Sequence, residues 1–396
     1  MGFRYVLKKI LEDKEINSFE FAKSINVSKN QVDAWLSGKR MPNFNNLSKI
    51  IKCYGIDANL IFKKDDVKRE VHFIDLFAGI GGIRLGFEKH GYKCVYSNEI
   101  DDHACEMYKA NFGDNPKGDI TMVNANDIPD FDVLVGGFPC QSFSICGKQK
   151  GFEDTRGTLF FDICRILKEK KPYAFMLENV FNLVTHDKGN TFKVMKQTLE
   201  ELGYIVEYKV LNAKDFGVPQ NRERIIIVGC KNKKFDFSKL KTDTVKSMRE
   251  FLDKDGPFEY LKDDEYTILS DDLIKTQEKS GLRFAGYRNK KMRTKGVRPG
   301  TEHLSRVHKM PNRIYSELGV HPTIASQEKS GRFFIHTEGK VRKLTINECY
   351  RFFGFPDNFK KTGLLSKQYE RIGNSVCVNM ISAVAKEMMT QFFKEE

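Results

Sequence analysis

The chain changes rhythm twice. Over residues 3–62 apolar positions recur at helical spacing, with polar breaks at Asn26, Ser37-Gly38 and Pro42-Asn43, and this predicts a bundle of four or five short helices. Residues 63–70 are mostly charged and read as a connector. From Val71 onward, strand-sized apolar runs at 71–77, 94–97, 133–135, 174–177, 205–211 and 224–229 alternate with amphipathic helical stretches. Such a βαβ series predicts an α/β unit whose mostly parallel sheet is covered on both faces, because parallel strands need crossover helices. After Lys231 the rhythm dissolves into a charged, glycine-punctuated region reaching residue 332, and a last helix over 376–393 is expected to pack back on the sheet. The expected segments are an all-α unit at 1–66, an α/β unit at 71–235, an irregular basic region at 236–335 and a return to the α/β unit at 336–396.

A chain of 396 residues has room for two or three domains, and 40% hydrophobic content supports at least one large core. The longest apolar runs, such as 225–228, fall far short of the roughly 20 residues a membrane span needs. The opening Met1-Gly2-Phe3-Arg4 leads into a charged, helix-like pattern with no secretory signal, so a cytoplasmic protein without a membrane partner is expected. Nine cysteines without a C-x-x-C pair fit neither a disulfide framework nor a common zinc arrangement, and no metal is expected. The net charge of +13 points to a polyanion, and it is concentrated: residues 275–313 hold twelve Lys or Arg against two Glu.

Within the first segment, residues 19–25, a turn at 26–28 and residues 29–38 have helix-turn-helix spacing. Ala22, Ile25, Val27, Val32 and Trp35 would form the shared core, leaving Ser28, Lys29, Asn30, Gln31 and Asp33 on a face able to enter a major groove. Trp35-Leu36-Ser37-Gly38 followed by a basic pair is similar to the Cro/repressor-type helix-turn-helix family. The alternative is a helical bundle that only packs or dimerises.

Phe73-Ile74-Asp75-Leu76-Phe77-Ala78-Gly79-Ile80-Gly81-Gly82 is a buried strand running into a glycine-rich turn and a helix. Glu99, twenty residues after Gly79, stands where a carboxylate accepts hydrogen bonds from ribose hydroxyls. Together they read as a nucleoside site. A nicotinamide dinucleotide would need a third glycine where Arg84 stands, whereas S-adenosylmethionine, which has no phosphate, would not. Asp119-Ile120 would supply a hydrogen bond to the adenine amine and an apolar wall, or Asp119 is simply a turn cap after Gly118.

Gly136-Gly137-Phe138-Pro139-Cys140-Gln141-Ser142-Phe143-Ser144 follows a buried strand and so places Cys140 at the carboxyl edge of the sheet, where open α/β sheets bind ligands. A thiol there is either inert core or, deprotonated, a strong nucleophile. Five motifs now carry a resemblance: Phe77-Ala78-Gly79-Ile80-Gly81, Gly137-Phe138-Pro139-Cys140-Gln141, Glu178-Asn179-Val180, Gln220-Asn221-Arg222-Glu223-Arg224 and Gly373-Asn374-Ser375-Val376. In order and spacing the chain resembles the bacterial DNA cytosine-5 methyltransferases of restriction-modification systems, from Val71 to its end apart from 231–332.

The resemblance implies a Rossmann-like S-adenosylmethionine-dependent methyltransferase, with S-adenosyl-L-homocysteine as product. It acts on carbon 5 of a cytosine flipped out of duplex DNA, protecting a short site from a cognate endonuclease. Cys140 would add to carbon 6, Glu178 would protonate or hydrogen-bond N3, Arg222 would bind O2 and hold the thiolate region, and Arg224 would support the loop or Glu178. Otherwise Glu178 caps a helix and the arginines are surface ion-pair partners. The implied cofactor contacts are Phe77, Gly79, Ile80, Gly81, Gly82, Asn98, Glu99, Ile100, Asp119, Ile120, Pro139, Leu159, Asn374 and Ser375. Ile100 departs from relatives that carry Trp. The loop 142–156 would close over the flipped base, with Ser144 on a phosphate.

The basic region, with Tyr287, His303, His308 and Tyr315 interleaved, suits phosphate and base-edge contacts. The resemblance makes it the target-recognition domain, with Arg306, Lys309, Arg313, Tyr315 and Thr323 as DNA contacts. The string 303–309 resembles relatives reading sites that begin with CC. The methyltransferase is expected to be monomeric, and the N-terminal domain to bind operator DNA, dimerise there and autoregulate its own genes. Two other readings stay open: a DNA-binding regulator whose methyltransferase part only senses the cofactor, and a tRNA cytosine methyltransferase.

Overall fold

The computed structural model describes residues 3–37, 39–56, 70–139, 159–290 and 300–394, in two compact units, 1–70 and 71–396. In the first unit four helices are described: α1 (Phe3–Asp13), α2 (Ser18–Ser24), α3 (Lys29–Leu36) and α4 (Phe44–Tyr54). Side-chain caps set their starts. Asn17 caps α2 in a reciprocal box with Glu20, Ser28 caps α3 in the same way with Gln31, and Asn43 caps α4. Leu7, Phe21, Ala22, Ile25, Val32, Trp35 and Ile50 form the core, and the edge of Trp35 meets Phe3. Val27, expected in that core, is half-buried against it.

The second unit begins with β1 (Val71–Leu76), β2 (Tyr92–Asn98), β3 (Val133–Gly137), β4 (Ala174–Val180), β5 (Ile205–Asn212), β6 (Gln220–Asn221) and β7 (Glu223–Cys230). Its six-stranded sheet has the order β2-β1-β3-β4-β7-β5, parallel except that β7 runs antiparallel to both neighbours. All six strands coincide with the apolar runs of the sequence. Alternate residues feed two cores. Phe73, Val133, Val135, Met176 and Ile226 pack under α5 (Gly82–Glu88), while Ile74, Leu134, Phe175, Leu177 and Ile227 pack under α7 (Leu159–Lys170) and α8 (Asn190–Glu201), α6 (Asp102–Phe112) lying earlier in the chain. The C-terminal helix, Val378–Met388, joins the first of these cores through Met380, Ile381 and Val384, as expected.

The region after Lys231 is more regular than its sequence suggests. β8 (Tyr266–Ile268), β9 (Phe284–Arg288), β10 (Arg313–Ser316), β12 (Phe334–Thr337) and β13 (Lys340–Lys343) form a second sheet in the order β13-β12-β10-β9-β8. Three- to five-residue strands separated by long loops leave no readable period. The short strand β11 (His321–Pro322) instead pairs with β6, directly ahead of β7, which ties this region to the six-stranded sheet. Arg342 of β13 forms a buried two-pronged pair with Glu348, at 2.7 and 2.9 Å, and Glu348 also accepts the Asp253 and Thr345 amides. Breaking such a pair costs about 3–5 kcal/mol, since one charge would remain buried alone. Among the described residues no helix is long and apolar enough to cross a membrane.

Candidate active site

A cavity of roughly 720 Å³ opens at the carboxyl ends of β1, β3 and β4. Its wall includes the turn from Phe77 to Ile83 (Gly81 excepted), Glu99 and Ile100, Gly137 to Pro139, Leu159, Glu178 to Val180, Arg222, Arg224, Thr323 to Gln327 and Gly373 to Val376. Four of the five sequence motifs therefore meet here with their key residues described. Cys140 lies outside the described residues, as do Gln141, Ser142, Ser144 and the loop to 156; its neighbour Pro139 is on the wall.

At one end the chain leaves β1 through Phe77, whose φ of 56° is uncommon for a bulky residue and turns the backbone into the cavity rim. Glu99 Oε2 accepts the Gly79 amide and Oε1 accepts the Asp101 amide, both at 2.8 Å, so two main-chain donors fix the carboxylate and each oxygen keeps a lone pair. Ile100 is 66% exposed, an apolar side chain on the rim with nothing over it. An oriented carboxylate between Phe77 and Ile100 fits an adenosine, with hydrogen bonds to ribose and apolar contact to the base. Gly82 has a different reason to be glycine: a Cβ there would lie 2.9 Å from both Ser375 Oγ and Val376 Cγ2, so the glycine turn seats directly on the Gly373-Asn374-Ser375-Val376 segment.

Four of the expected cofactor contacts are not brought to the wall. Gly81 faces the Phe112 ring, Asn98 is buried beside Gly118, Ile120 is buried in a sheet core, and Asp119 caps the turn Ile120–Met122 through Thr121. The turn-cap alternative is thus what the Asp119 geometry displays.

At the other end, Glu178 sits between β3 and β7. Its Oε1 is 2.9 Å from Arg224 Nε, and a Cβ on Gly137 would lie 3.2 Å from its Oε2, which is why glycine stands opposite it. Burial raises the Glu178 carboxyl above its ordinary range, partly offset by Arg224 and then Arg222. The next residue, Asn179, donates its amide to the Phe138 carbonyl at 2.9 Å and so pins the chain two residues before Cys140. The sequence quoted Asn179 within a motif but gave it no task.

Arg222, on the cavity wall, donates its terminal nitrogens to Ile324 O, Gly373 O and Ser375 O, its buried Nε has no partner among the described residues, and its guanidinium lies 4.8 Å from the Phe353 ring centre. Arg224 stands beside Glu178 on the same wall.

The DNA-contact expectations divide. Lys29 and Asn30 are exposed at the start of α3, Lys29 pairing with Asp33, but Ser28 and Gln31 cap each other. Arg306 and Lys309 are exposed on a loop whose His308 stacks on Tyr287 at 4.1 Å. Arg313 Nε donates to His308 O, bracing that loop. Tyr315 is buried in the core beneath the second sheet and cannot contact DNA as expected, because both faces of β10 are covered. Thr323 lines the catalytic cavity and donates to Asn221 O.

Comparison with known proteins agrees with this geometry. Residues 71–390 match the model of the C-5 cytosine-specific DNA methylases, and residues 7–61 match a helix-turn-helix model. The chain is 43% identical over 334 residues to the Type II methyltransferase M.HhaI of Haemophilus parahaemolyticus, covering 81% of this chain and 95% of that one. It is 39% identical over 399 residues to the Type II methyltransferase M.SsoII of Shigella sonnei, covering 97% of each, so that similarity takes in the helical unit. Among solved structures, the S. pombe Dnmt2 methyltransferase aligns with a TM-score of 0.59 at 18% identity over 82% of this chain and all of that one, a likeness of fold.

Proposed function

The chain belongs to the C-5 cytosine-specific DNA methylases, with a helix-turn-helix unit ahead of the methylase part, and on that premise we propose how its residues carry out the transfer. S-adenosyl-L-methionine, when bound, supplies an electrophilic methyl group; Phe77, Ile100 and the Glu99 carboxylate would hold its adenosine. Carbon 5 of cytosine is too weak a nucleophile to react unaided. The Cys140 thiolate forms a bond to carbon 6 of the flipped base, and the displaced electron pair is stabilised as Glu178 gives a proton or a strong hydrogen bond to N3. Arg224 holds Glu178 and faces O2, where negative charge also gathers. After methylation carbon 5 loses its proton to water and N3 returns its proton to Glu178, which restores the ring double bond and expels the Cys140 thiolate. Asn179 holds the Phe138 carbonyl, two residues ahead of Cys140.

The observation that carries this reading is the Glu178–Arg224 pair inside a cavity that also holds the fixed Glu99 carboxylate. In keeping with its likeness to Type II methyltransferases, the product would protect DNA from a cognate endonuclease, and the N-terminal unit would bind operator DNA and regulate its own genes. Bisulfite sequencing of DNA from cells making the protein tests the enzymatic part: unconverted cytosines at one short site are expected, and uniform conversion would rule it out.

A further inference from the structure

The side chains of Arg222 and Gln220 bind segments far away in the sequence. Gln220 accepts the Ile324 amide at 3.1 Å and donates to Phe352 O at 3.0 Å, while Arg222 donates to Ile324 O at 3.3 Å, Gly373 O at 2.9 Å and Ser375 O at 2.8 Å. Ile324 is thus gripped at both its N–H and its C=O. Just before it, His321 and Pro322 pair with Gln220 and Asn221, and the Thr323 hydroxyl donates to Asn221 O. On one side of Arg222, therefore, is the strand leading out of the basic, recognition-type sheet. On the other is the segment Gly373 to Ser375, against which Gly82 of the cofactor turn is seated.

Arg222 is 98% buried, and its three acceptors are all main-chain carbonyls. Its planar, rigid fork satisfies them only when both segments stand in one relative position. A change in how residues 321–324 sit must either drag residues 373–375 along or break charged, buried hydrogen bonds.

We propose that Arg222 is a positioning residue that couples the seating of target DNA on the recognition sheet to the cofactor wall, so that DNA and cofactor each tighten binding of the other. This rests on the methyltransferase reading above. Linkage makes the effect reciprocal, so either ligand can report it.

The test measures S-adenosyl-L-homocysteine affinity of the full chain by calorimetry, with and without a duplex carrying the site mapped by bisulfite sequencing. In the unaltered protein the duplex should tighten binding by about fivefold or more. In Arg222→Lys, whose compact ammonium cannot span the three carbonyls, the two affinities should agree within about twofold. A purely structural role would lower both affinities and leave their ratio intact, which would overturn the proposal, as would an unaltered protein with no coupling. Hydrogen exchange on the unaltered chain keeps the test open should the variant misfold: the duplex alone should slow amides at 372–376, and unchanged exchange there refutes the coupling. Failure to find any methylated site would instead count against the methyltransferase reading itself.

Discussion

Arg224 Nε lies 2.9 Å from Glu178 Oε1, and strand register produces the contact. In the antiparallel ladder Val180 faces Arg224 and Glu178 faces Ile226, so Glu178 and Arg224 are diagonal neighbours on one face. Asn179 serves the same site by holding the Phe138 carbonyl. The end of β4 thus turns one side chain to Arg224 and the next to the Phe138 carbonyl.

The Glu178 carboxyl must carry a proton to act on N3, and burial favours that form while Arg224 opposes it. Arg224→Gln should therefore raise the Glu178 pKa further and move the alkaline limb of the kcat/KM profile to higher pH. The same change should lower kcat roughly 10²- to 10³-fold by removing a donor near the developing charge. A pH–rate profile of methyl transfer decides; a limb displaced to lower pH contradicts the assignment.

Glu99 is held by two amides, and Glu99→Ala removes both the carboxylate and the order it gives the turn. The dissociation constant for S-adenosyl-L-homocysteine, measured by calorimetry, should rise about 10- to 100-fold, the range expected for losing one charged hydrogen bond. An unchanged constant would place the adenosine elsewhere.

Asp75 is fully buried in β1 with neither carboxylate oxygen hydrogen-bonded, and burial pushes it up to about 8. The unfolded value is roughly 3.9, so between these values the folded chain binds a proton that the unfolded chain releases, and stability falls as pH rises. Asp75→Asn removes that slope. Its melting temperature relative to the unaltered protein should climb from pH 5 to pH 8; a constant difference would mean that Asp75 is not titrating in this window.

The helix-turn-helix unit has its own caps and its own core. Deleting residues 1–66 should leave methyl transfer within about twofold while abolishing a gel shift on the promoter region of the gene. Lost methylation would show that the unit serves catalysis instead.

Much of this was legible. The strands β1, β3, β4 and β7 were readable because each carries an apolar run buried on both faces, the edge strands β2 and β5 from apolar residues mixed with exposed ones, and the place of Glu99 on the cavity wall because its distance from Gly79 is set by one βαβ unit. The hold of Arg222 on distant main chain was not legible, because sequence spacing shows two arginines but not which carbonyls surround them: Ile324, Gly373 and Ser375 lie 102 to 153 positions away. Tyr315 looked like a groove contact because its strand is four residues long, too short for alternation to reveal that both faces are covered. Asp119 was open to two readings, and a local Thr121 partner satisfies the capping one.

The central claim is covalent catalysis by Cys140, and tritium transfer tests it most directly. The unaltered full chain and Cys140→Ser are each incubated with methyl-tritiated S-adenosyl-L-methionine and unmethylated genomic DNA, and label in 5-methylcytosine is counted after hydrolysis. The unaltered chain should label cytosine, and the serine variant should retain cofactor and DNA binding yet transfer no methyl above background. Label from the serine variant at the unaltered rate would contradict the account.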